Sequence, residues 1–151
     1  MQQNRGDSMP KVEVKTEANA SAKTIYDILM NDDMETKWNL TVNENVNIGP
    51  NKWEVKSTIG DLTSTRVETK ENKRVSFDIE GSIFTKMGYI LKPKGDTTNV
   101  SLWGEFEDEK NKRILESAGG VLLEGLKRFS EYIEEGGDPE SFDKKQLTVT
   151  P

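Results

Sequence analysis

Residues 111–135, NKRILESAGGVLLEGLKRFSEYIEE, form the longest stretch of the chain with a helical hydrophobic pattern. Apolar and small residues recur there at intervals of three and four positions, which places them on one face of a helix. They are Ile114, Leu115, Ala118, Val121, Leu122, Gly125, Phe129 and Ile133. Because that face must be covered, we expect the rest of the chain to pack around this helix.

The remainder of the chain is predicted to consist mainly of strands. Lys11 to Glu17 alternates strictly between valine or threonine and charged residues, as a strand with one solvated face does. From Thr41 to Phe106 similar alternation continues through several segments. The sequence therefore predicts a curved antiparallel sheet that closes around the long helix and leaves a cup for a small molecule.

A short helical region is predicted between the first strand and the rest of the sheet. Ser21 is a suitable N-cap for a helix that runs to about Met30, because its hydroxyl can accept a hydrogen bond from a free backbone N–H. Residues 34–39 are expected to add a further turn, with Met34 and Trp38 on one side of it.

Register arguments predict which side chains face into the cup. We expect a four-residue link at 49–52 and a two-residue turn at Gly60–Asp61, with glycine in its first position. The inner face of these three strands would then carry Val42, Glu44, Val46, Ile48, Trp53, Val55, Ser57, Ile59, Leu62, Ser64, Arg66 and Glu68.

Two interpretations of the charges on this face stay open. A buried charge must be paired or coordinated. Glu44 and Arg66 could therefore meet over Ser57 or share a ligand. Alternatively, Arg66 and Glu68 lie at the rim of the sheet and form an ordinary ion pair.

The last two strands are aligned by cross-strand pairs on their outer face. Lys86 opposite Glu105 and Gly88 opposite Trp103 give an ion pair and an aromatic ring over a glycine. An extra residue must then be absorbed near Gly81. The inner face would carry Val75, Phe77 and Ile79 from the preceding strand, then Thr85, Met87, Tyr89, Leu91, Val100, Leu102, Gly104 and Phe106.

Some inner residues and glycines have more than one explanation. Tyr89 needs a hydrogen-bond partner for its hydroxyl, which protein, water or a ligand could supply. Met87 suits either a core or a loosely shaped pocket. Gly119, Gly120 and Gly125 each cost about 1 kcal/mol in a helix relative to alanine. Close approach by a neighbour, a kink, or room for a bound molecule would each account for them.

Composition excludes several kinds of function. The 151 residues carry a net charge of −6 and include neither cysteine nor histidine. Thiolate and serine–histidine catalysis and the usual zinc sites are therefore excluded, and we expect no cofactor or metal. No basic block suits nucleic acid. With no signal peptide and no membrane-spanning run, we expect a cytoplasmic protein.

The chain is expected to form one domain. Residues 1–10 are polar and patternless, which predicts a disordered arm. Residues 11–135 contain all the predicted strands and helices. Gly136–Gly137 and Pro139 should end the long helix, so that residues 136–151 form a flexible tail in which Phe142 is the one anchoring residue.

The order of elements resembles a known superfamily. The predicted order is a strand, a helix pair, six strands and a long C-terminal helix. This order is similar to that of the helix-grip fold, an α+β fold of the START, polyketide cyclase and birch-pollen allergen (SRPBCC) superfamily. The resemblance spans about residues 11–134. It is carried by Val12-Glu13-Val14, by Ala22 to Leu29 followed by Trp38, by Leu91-Lys92-Pro93 leading through Gly95-Asp96-Thr97 to Val100, and by Leu126-Lys127-Arg128-Phe129.

This resemblance implies a hydrophobic cavity between the sheet and the long helix. Relatives use it for lipids, sterols, polyketides or hormones, and a few catalyse cyclisation or dehydration. The first hypothesis is therefore a binding protein for a small apolar or amphipathic molecule, with Arg66 holding an acidic or carbonyl end. The expected ligand-binding residues are Trp38, Glu44, Trp53, Ser57, Arg66, Phe77, Met87, Tyr89, Leu102, Ala118 and Leu122.

Two other hypotheses are compatible with the sequence. In a cyclase-like enzyme, Glu44 would act as the base with its pKa raised by burial, and Tyr89 or Arg66 would act as the donor. In an interaction module, the acidic, lysine-rich surface would bind a protein partner without a ligand. Relatives that stimulate the Hsp90 chaperone share this fold.

Overall fold

The computed structural model describes residues 9–143. Its elements are β1 Lys11–Ala18, α1 Ala22–Met30, α2 Glu35–Trp38, β2 Val42–Gly49, β3 Lys52–Ser57, β4 Gly60–Lys70, β5 Arg74–Glu80, β6 Lys86–Lys94, β7 Thr97–Glu105 and α3 Lys112–Glu134. Short 3-10 turns lie at Asp32–Met34, Glu109–Asn111 and Pro139–Ser141. Residues 1–8 of the expected arm and residues 144–151 of the expected tail lie outside the described residues.

The strands form one antiparallel sheet in the order β1-β7-β6-β5-β4-β3-β2. Helix α3 packs mainly across β1 and β7, while α1 packs against α3 and β6. This is the α+β helix-grip architecture that the order of elements predicts.

The predicted register of β6 and β7 is confirmed. Lys86 pairs with Glu105, and Gly88 pairs with Trp103. The Trp103 ring covers Gly88 so closely that a Cβ atom there would lie 2.6 Å from the ring. Residues 79–85 link the pair Asp78 and Lys86. The connection has an odd number of residues, which confirms the odd-length loop predicted near Gly81. As a result, the inner side chains of β5 and β6 lie on the same face of the sheet.

The predicted register of β2 is wrong, because the strand contains a bulge. Val42 pairs with Ser57, but the register then shifts and Glu44 pairs with Lys56. One extra residue reverses the face of every side chain that follows it. Glu44 therefore points outward, where its carboxylate lies 3.6 Å from the Lys56 ammonium. Asn45, opposite Val55, takes the inward position instead.

The turn between β3 and β4 also differs from the prediction. Ser57 pairs with Gly60, so the turn residues are Thr58 and Ile59 rather than Gly60 and Asp61. The shift is an even number of residues, so the predicted inner face of both strands is retained. However, Ser64 lies opposite Trp53 and not opposite Ser57.

A second bulge lies in β4 between Arg66 and Glu68. Arg66 stays on the inner face opposite Phe77, whereas Glu68 turns outward. There its carboxylate accepts from Arg74, with an Nε to Oε2 distance of 3.2 Å. The predicted placement of Glu68 beside Arg66 on one face is therefore wrong.

The core lies between α1, α3 and the inner face of the sheet. In α1, the predicted N-cap is confirmed, because the Ser21 hydroxyl accepts from the Thr24 N–H at 3.1 Å. The buried face of that helix consists of Ala22, Ile25, Ile28 and Leu29. The largest side chains that are fully buried are Trp38, Phe106, Phe129, Ile25 and Leu126.

Close approach of the sheet explains one glycine of α3. A Cβ at Gly119 would lie 3.1 Å from Cγ2 of Val14 and 3.5 Å from Cδ2 of Leu102. A Cβ at Gly120 would meet nothing within 4 Å. Gly119 therefore allows α3 to lie close against β1 and β7.

The end of α3 is fixed by the residues that follow it. Gly136 adopts φ +92°, a left-handed conformation that favours glycine, and the Gly137 N–H donates to the Tyr132 carbonyl at 2.9 Å. The Phe142 ring packs edge-on against Phe129, with 4.9 Å between ring centroids. The packed part of the chain therefore extends beyond the helix to Phe142.

Two carboxylates of α3 bind the backbone at the start of α1. Glu131 accepts from the Asn19 N–H at 2.8 Å and from the Lys127 ammonium at 2.7 Å, and Glu134 accepts from the Ser21 N–H at 3.1 Å. Burial acts to raise the pKa of Glu131, but these hydrogen bonds outweigh it and hold the pKa below its ordinary value. The charged form of Glu131 therefore stabilises the fold.

Replacing Glu131 with glutamine should lower the free energy of unfolding by about 1 kcal/mol at pH 7, since charge-assisted hydrogen bonds weaken. The carboxylate's contribution is complete above about pH 4.3, the ordinary pKa of glutamate, and disappears as the pH falls through its lower folded-state pKa. Urea denaturation at a series of pH values should therefore show a difference from wild type at pH 7 that shrinks as the pH falls below about 4.3.

Glu124→Gln is the matched control for this prediction. Glu124 pairs with Arg128 on the same helix at 2.6 Å, but its side chain is 46% exposed. An exposed pair of this kind contributes about 0.5 kcal/mol or less. Equal effects of the two substitutions at pH 7 would contradict a special role for the contact between α3 and α1.

Candidate functional site

A cavity of about 140 Å³ lies between α3 and the inner face of the sheet. Strands β3 to β7 supply most of its apolar wall. Helix α3 covers the side opposite the sheet with Leu115, Ala118 and Leu122. Most of the residues predicted to bind a ligand lie in this wall. They are Trp53, Ser57, Phe77, Met87, Tyr89, Leu102, Ala118 and Leu122.

Three of the predicted site residues are not in the cavity wall. Trp38 is completely buried in the core, and its indole Nε1 has no hydrogen-bond partner within the described part of the chain. Glu44 faces solvent on the outer side of the sheet because of the β2 bulge. Arg66 faces inward but is held by other protein groups.

The Arg66 side chain is only 11% exposed and is held by Asp32, Asn51 and Trp53. Its Nη1 donates to Oδ1 of Asp32 at 3.2 Å, and its Nη2 donates to Oδ1 of Asn51 at 3.2 Å. The guanidinium also lies over the Trp53 ring, 4.8 Å from the centroid. Neither Glu44 nor Glu68 is its partner, so both expected pairings of Arg66 are wrong.

The polar end of the cavity consists of residues that sequence reasoning did not single out. The segment between α1 and β2 contributes Asp32, Glu35, Asn39 and Thr41. The Asn39 Nδ2 donates to Glu35 Oε2 at 2.6 Å, while its Oδ1 accepts from the N–H and the hydroxyl of Thr41 at 2.9 and 2.6 Å. These bonds fix the orientation of Asn39, which is 1% exposed.

Asn45 also lines this end, because the β2 bulge turns it inward. Its Nδ2 donates to the Asp32 carbonyl at 3.3 Å. Its Oδ1 is buried and has no hydrogen-bond partner among residues 9–143. An unpartnered buried acceptor is uncommon in folded proteins. In the sequence, strand alternation alone places Asn45 on the outer face. The bulge reverses that placement.

Ser64 and Tyr89 contribute hydroxyl groups to the cavity wall from the sheet. Ser64 is 9% exposed and Tyr89 is 3% exposed, and no group in the described residues hydrogen-bonds to either hydroxyl. Burial, together with the nearby Glu35 carboxylate, raises the pKa of Tyr89 well above its ordinary value. Tyr89 therefore keeps its proton at neutral pH and remains able to donate a hydrogen bond.

The Asp32 carboxyl lies where the cavity meets the Arg66 guanidinium. Burial raises the pKa of Asp32 above its ordinary value, and the attraction of Arg66 partly opposes this increase. The pKa rises because the loss of hydration destabilises the charged carboxylate more than Arg66 stabilises it. The cavity thus combines an apolar body with one strongly polar end.

Within residues 9–143, no helix is long and apolar enough to cross a membrane. In the same range, no group of three or more aspartate, glutamate, histidine or cysteine side chains is placed to hold a metal ion.

Comparisons with known proteins show the fold. No family model matches the chain, and no curated protein matches it. A START superfamily protein from Mycobacterium smegmatis is similar in structure, with a TM-score of 0.64 and 19% identity over 83% of this chain and 97% of the other. The Aha1 dimer of Colwellia psychrerythraea gives a TM-score of 0.67 and 21% identity over 82% and 97% of the two chains.

A third similar structure is DynU16, from the dynemicin biosynthetic locus. It gives a TM-score of 0.64 and 14% identity, and the match covers 85% of this chain but 49% of DynU16. At these identities the likeness concerns the fold alone. The resemblance to the START and polyketide cyclase superfamily that the sequence predicts is confirmed at that level.

Proposed function

We propose that this protein binds a small apolar or amphipathic molecule in the cavity between α3 and the sheet. The observation that supports this proposal is the cavity itself, with an apolar body and a few convergent polar groups at one end. Ligand sites in proteins commonly have this character. Phe77, Met87, Leu102 and Leu122 would contact the apolar body of the ligand, while Asn45 would lie at its polar end.

The volume of the cavity limits the size of the proposed ligand. A cavity of about 150 Å³ lined by apolar side chains can bind benzene, and this one measures about 140 Å³. It therefore favours a molecule built on one ring or a short chain. Lipid-like, sterol-like or polyketide-like molecules of greater size would need side chains such as Met87 to move, which its flexible thioether permits.

The geometry gives less support to the other two hypotheses. Glu44 cannot act as a base inside the cavity, because it pairs with Lys56 on the outer face. An interaction module without a ligand would not need an apolar cavity beneath α3. We therefore retain ligand binding as the single proposed function.

A thermal-shift screen of single-ring aromatics, short-chain alcohols, fatty acids, sterols and aromatic polyketides tests the proposal. A ligand at ten times its Kd adds about 1.4 kcal/mol of stability. For a chain of this length, that increase should raise the Tm by about 3–6 °C. The largest shifts are expected from the single-ring compounds.

Ala118→Phe should remove the shift, because Ala118 lines the cavity and a benzyl group there would occupy it. Ser117→Phe is the control, since Ser117 is exposed on the adjacent position of α3. Circular dichroism would establish that both variants fold. A flat wild-type screen, or a shift that survives Ala118→Phe, would rule out binding in this cavity.

A further inference from the structure

We infer that the polar end of the cavity selects ligands whose head group donates a hydrogen bond, such as a hydroxyl or an ammonium, and rejects carboxylates. This inference rests on the proposed function and names the ligand class for the same cavity. It replaces the expectation that Arg66 would hold an acidic or carbonyl end.

The first argument is the free acceptor on Asn45. The Asn45 Nδ2 is already engaged with the Asp32 carbonyl, so the amide is oriented with Oδ1 as its remaining polar atom. That oxygen is buried and unpartnered within the described residues. Leaving such an acceptor without a hydrogen bond is unfavourable, because the oxygen has lost its water. This oxygen is covered by its neighbours, so a ligand reaches it only when the side chains around Asn45 shift. An O–H or N–H group of the ligand then supplies the missing bond, whereas a carboxylate oxygen would repel Oδ1.

The second argument is the charge around Asn45. The Asp32 and Glu35 carboxyl groups both line this end of the cavity. Among the described residues that line it, none is lysine or arginine. The Arg66 guanidinium, which pairs with Asp32 at this end, is also engaged by Asn51 and the Trp53 ring. A carboxylate ligand would lose its hydration without gaining a cation, which is strongly unfavourable in a buried site.

The hydroxyls of Ser64 and Tyr89 do not alter this preference. A hydroxyl can either donate or accept, so it adapts to whichever atom the ligand presents. Asn45 Oδ1, unlike a hydroxyl, can only accept a hydrogen bond. This fixed acceptor therefore determines the selectivity, and the hydroxyls provide additional contacts for a ligand that carries a second polar atom.

Four compounds that share one ring but differ in head group test the inference. Benzyl alcohol and benzylamine present a donor, ethylbenzene is the apolar analogue of similar shape, and benzoate is the anion. Their Kd values would be measured with the full chain at pH 7 by NMR titration. We expect the alcohol and the amine to bind at least about tenfold more tightly than benzoate, a difference of about 1.4 kcal/mol, and more tightly than ethylbenzene.

Asn45→Leu isolates the role of the free acceptor, because leucine has a similar size but no polar atom. In this variant, the advantage of benzyl alcohol over ethylbenzene should disappear. Asn43→Leu is the control on the same strand, since Asn43 is exposed and lies outside the cavity wall. The advantage should persist there, and circular dichroism would establish that both variants fold.

The outcomes separate this inference from the proposed function. If ethylbenzene or benzoate binds as tightly as the two donors, or if Asn45→Leu leaves their ranking unchanged, the inferred selectivity is wrong while the cavity remains a binding site. If none of the four compounds binds and the wider screen is flat, both the inference and the proposed function are wrong.

Discussion

Replacing Trp38 with alanine is expected to lower the free energy of unfolding by about 3–5 kcal/mol, as large-to-small substitutions of fully buried aromatic residues do. Trp38 is 0% exposed and belongs to the core that α1 and α3 form with the sheet. Its removal would leave a cavity that the surrounding side chains cannot fill completely. Urea denaturation followed by circular dichroism would measure the loss.

Trp38→Phe is the informative companion to this substitution. The indole Nε1 is buried without a partner in the described residues, so its N–H already opposes folding. Phenylalanine removes that N–H and retains one aromatic ring, and the loss should therefore be below about 2 kcal/mol. A loss equal to that of Trp38→Ala would mean that the N–H group makes a stabilising hydrogen bond.

Arg66→Ala should destabilise the fold by about 2–3 kcal/mol, while Arg74→Ala should cost about 0.5 kcal/mol. Both arginines have a nitrogen 3.2 Å from a carboxylate oxygen. Their exposure differs, since the Arg66 side chain is 11% exposed and that of Arg74 is 47% exposed. Arg66→Ala also removes the stacking on Trp53 and leaves the partly buried Asp32 without its cation.

The double variant Arg66→Ala with Asp32→Asn separates these contributions. If the uncompensated carboxylate causes much of the loss, the second substitution should recover about 1 kcal/mol. Chemical denaturation of the four proteins in the cycle would measure this coupling. Equal losses for Arg66→Ala and Arg74→Ala would show that burial does not strengthen the Arg66 interactions.

The parts of the fold that were predictable from the sequence have strong local signals. Ser21 marks the start of α1 because its hydroxyl satisfies a backbone donor of the first turn. The pairing of Gly88 with Trp103 aligns β6 with β7, since only glycine leaves room beneath the ring. These two strands supply Met87, Tyr89 and Leu102, and their inward placement was therefore predicted.

The polar end of the cavity could not be predicted in the same way. The bulge between Val42 and Glu44 exchanges Glu44 for Asn45 on the inner face, and a bulge leaves no clear trace in a hydrophobic pattern. Asp32 belongs to a turn between helices, where no periodicity indicates the direction of a side chain. Strand register alone therefore points to partners of Arg66 on the neighbouring strands and does not reveal Asp32.

Gly119 has a consequence for the redesign of this protein. Helix α3 lies close to Val14 and Leu102 because Gly119 has no side chain. The residue at position 119 therefore sets the distance between the helix and the strands. A larger side chain there would lift α3 by a few tenths of an ångström or more, because packed interiors have little free space. Substitutions at Gly119 would therefore change the depth of the cavity without changing the residues that contact the polar group of a ligand.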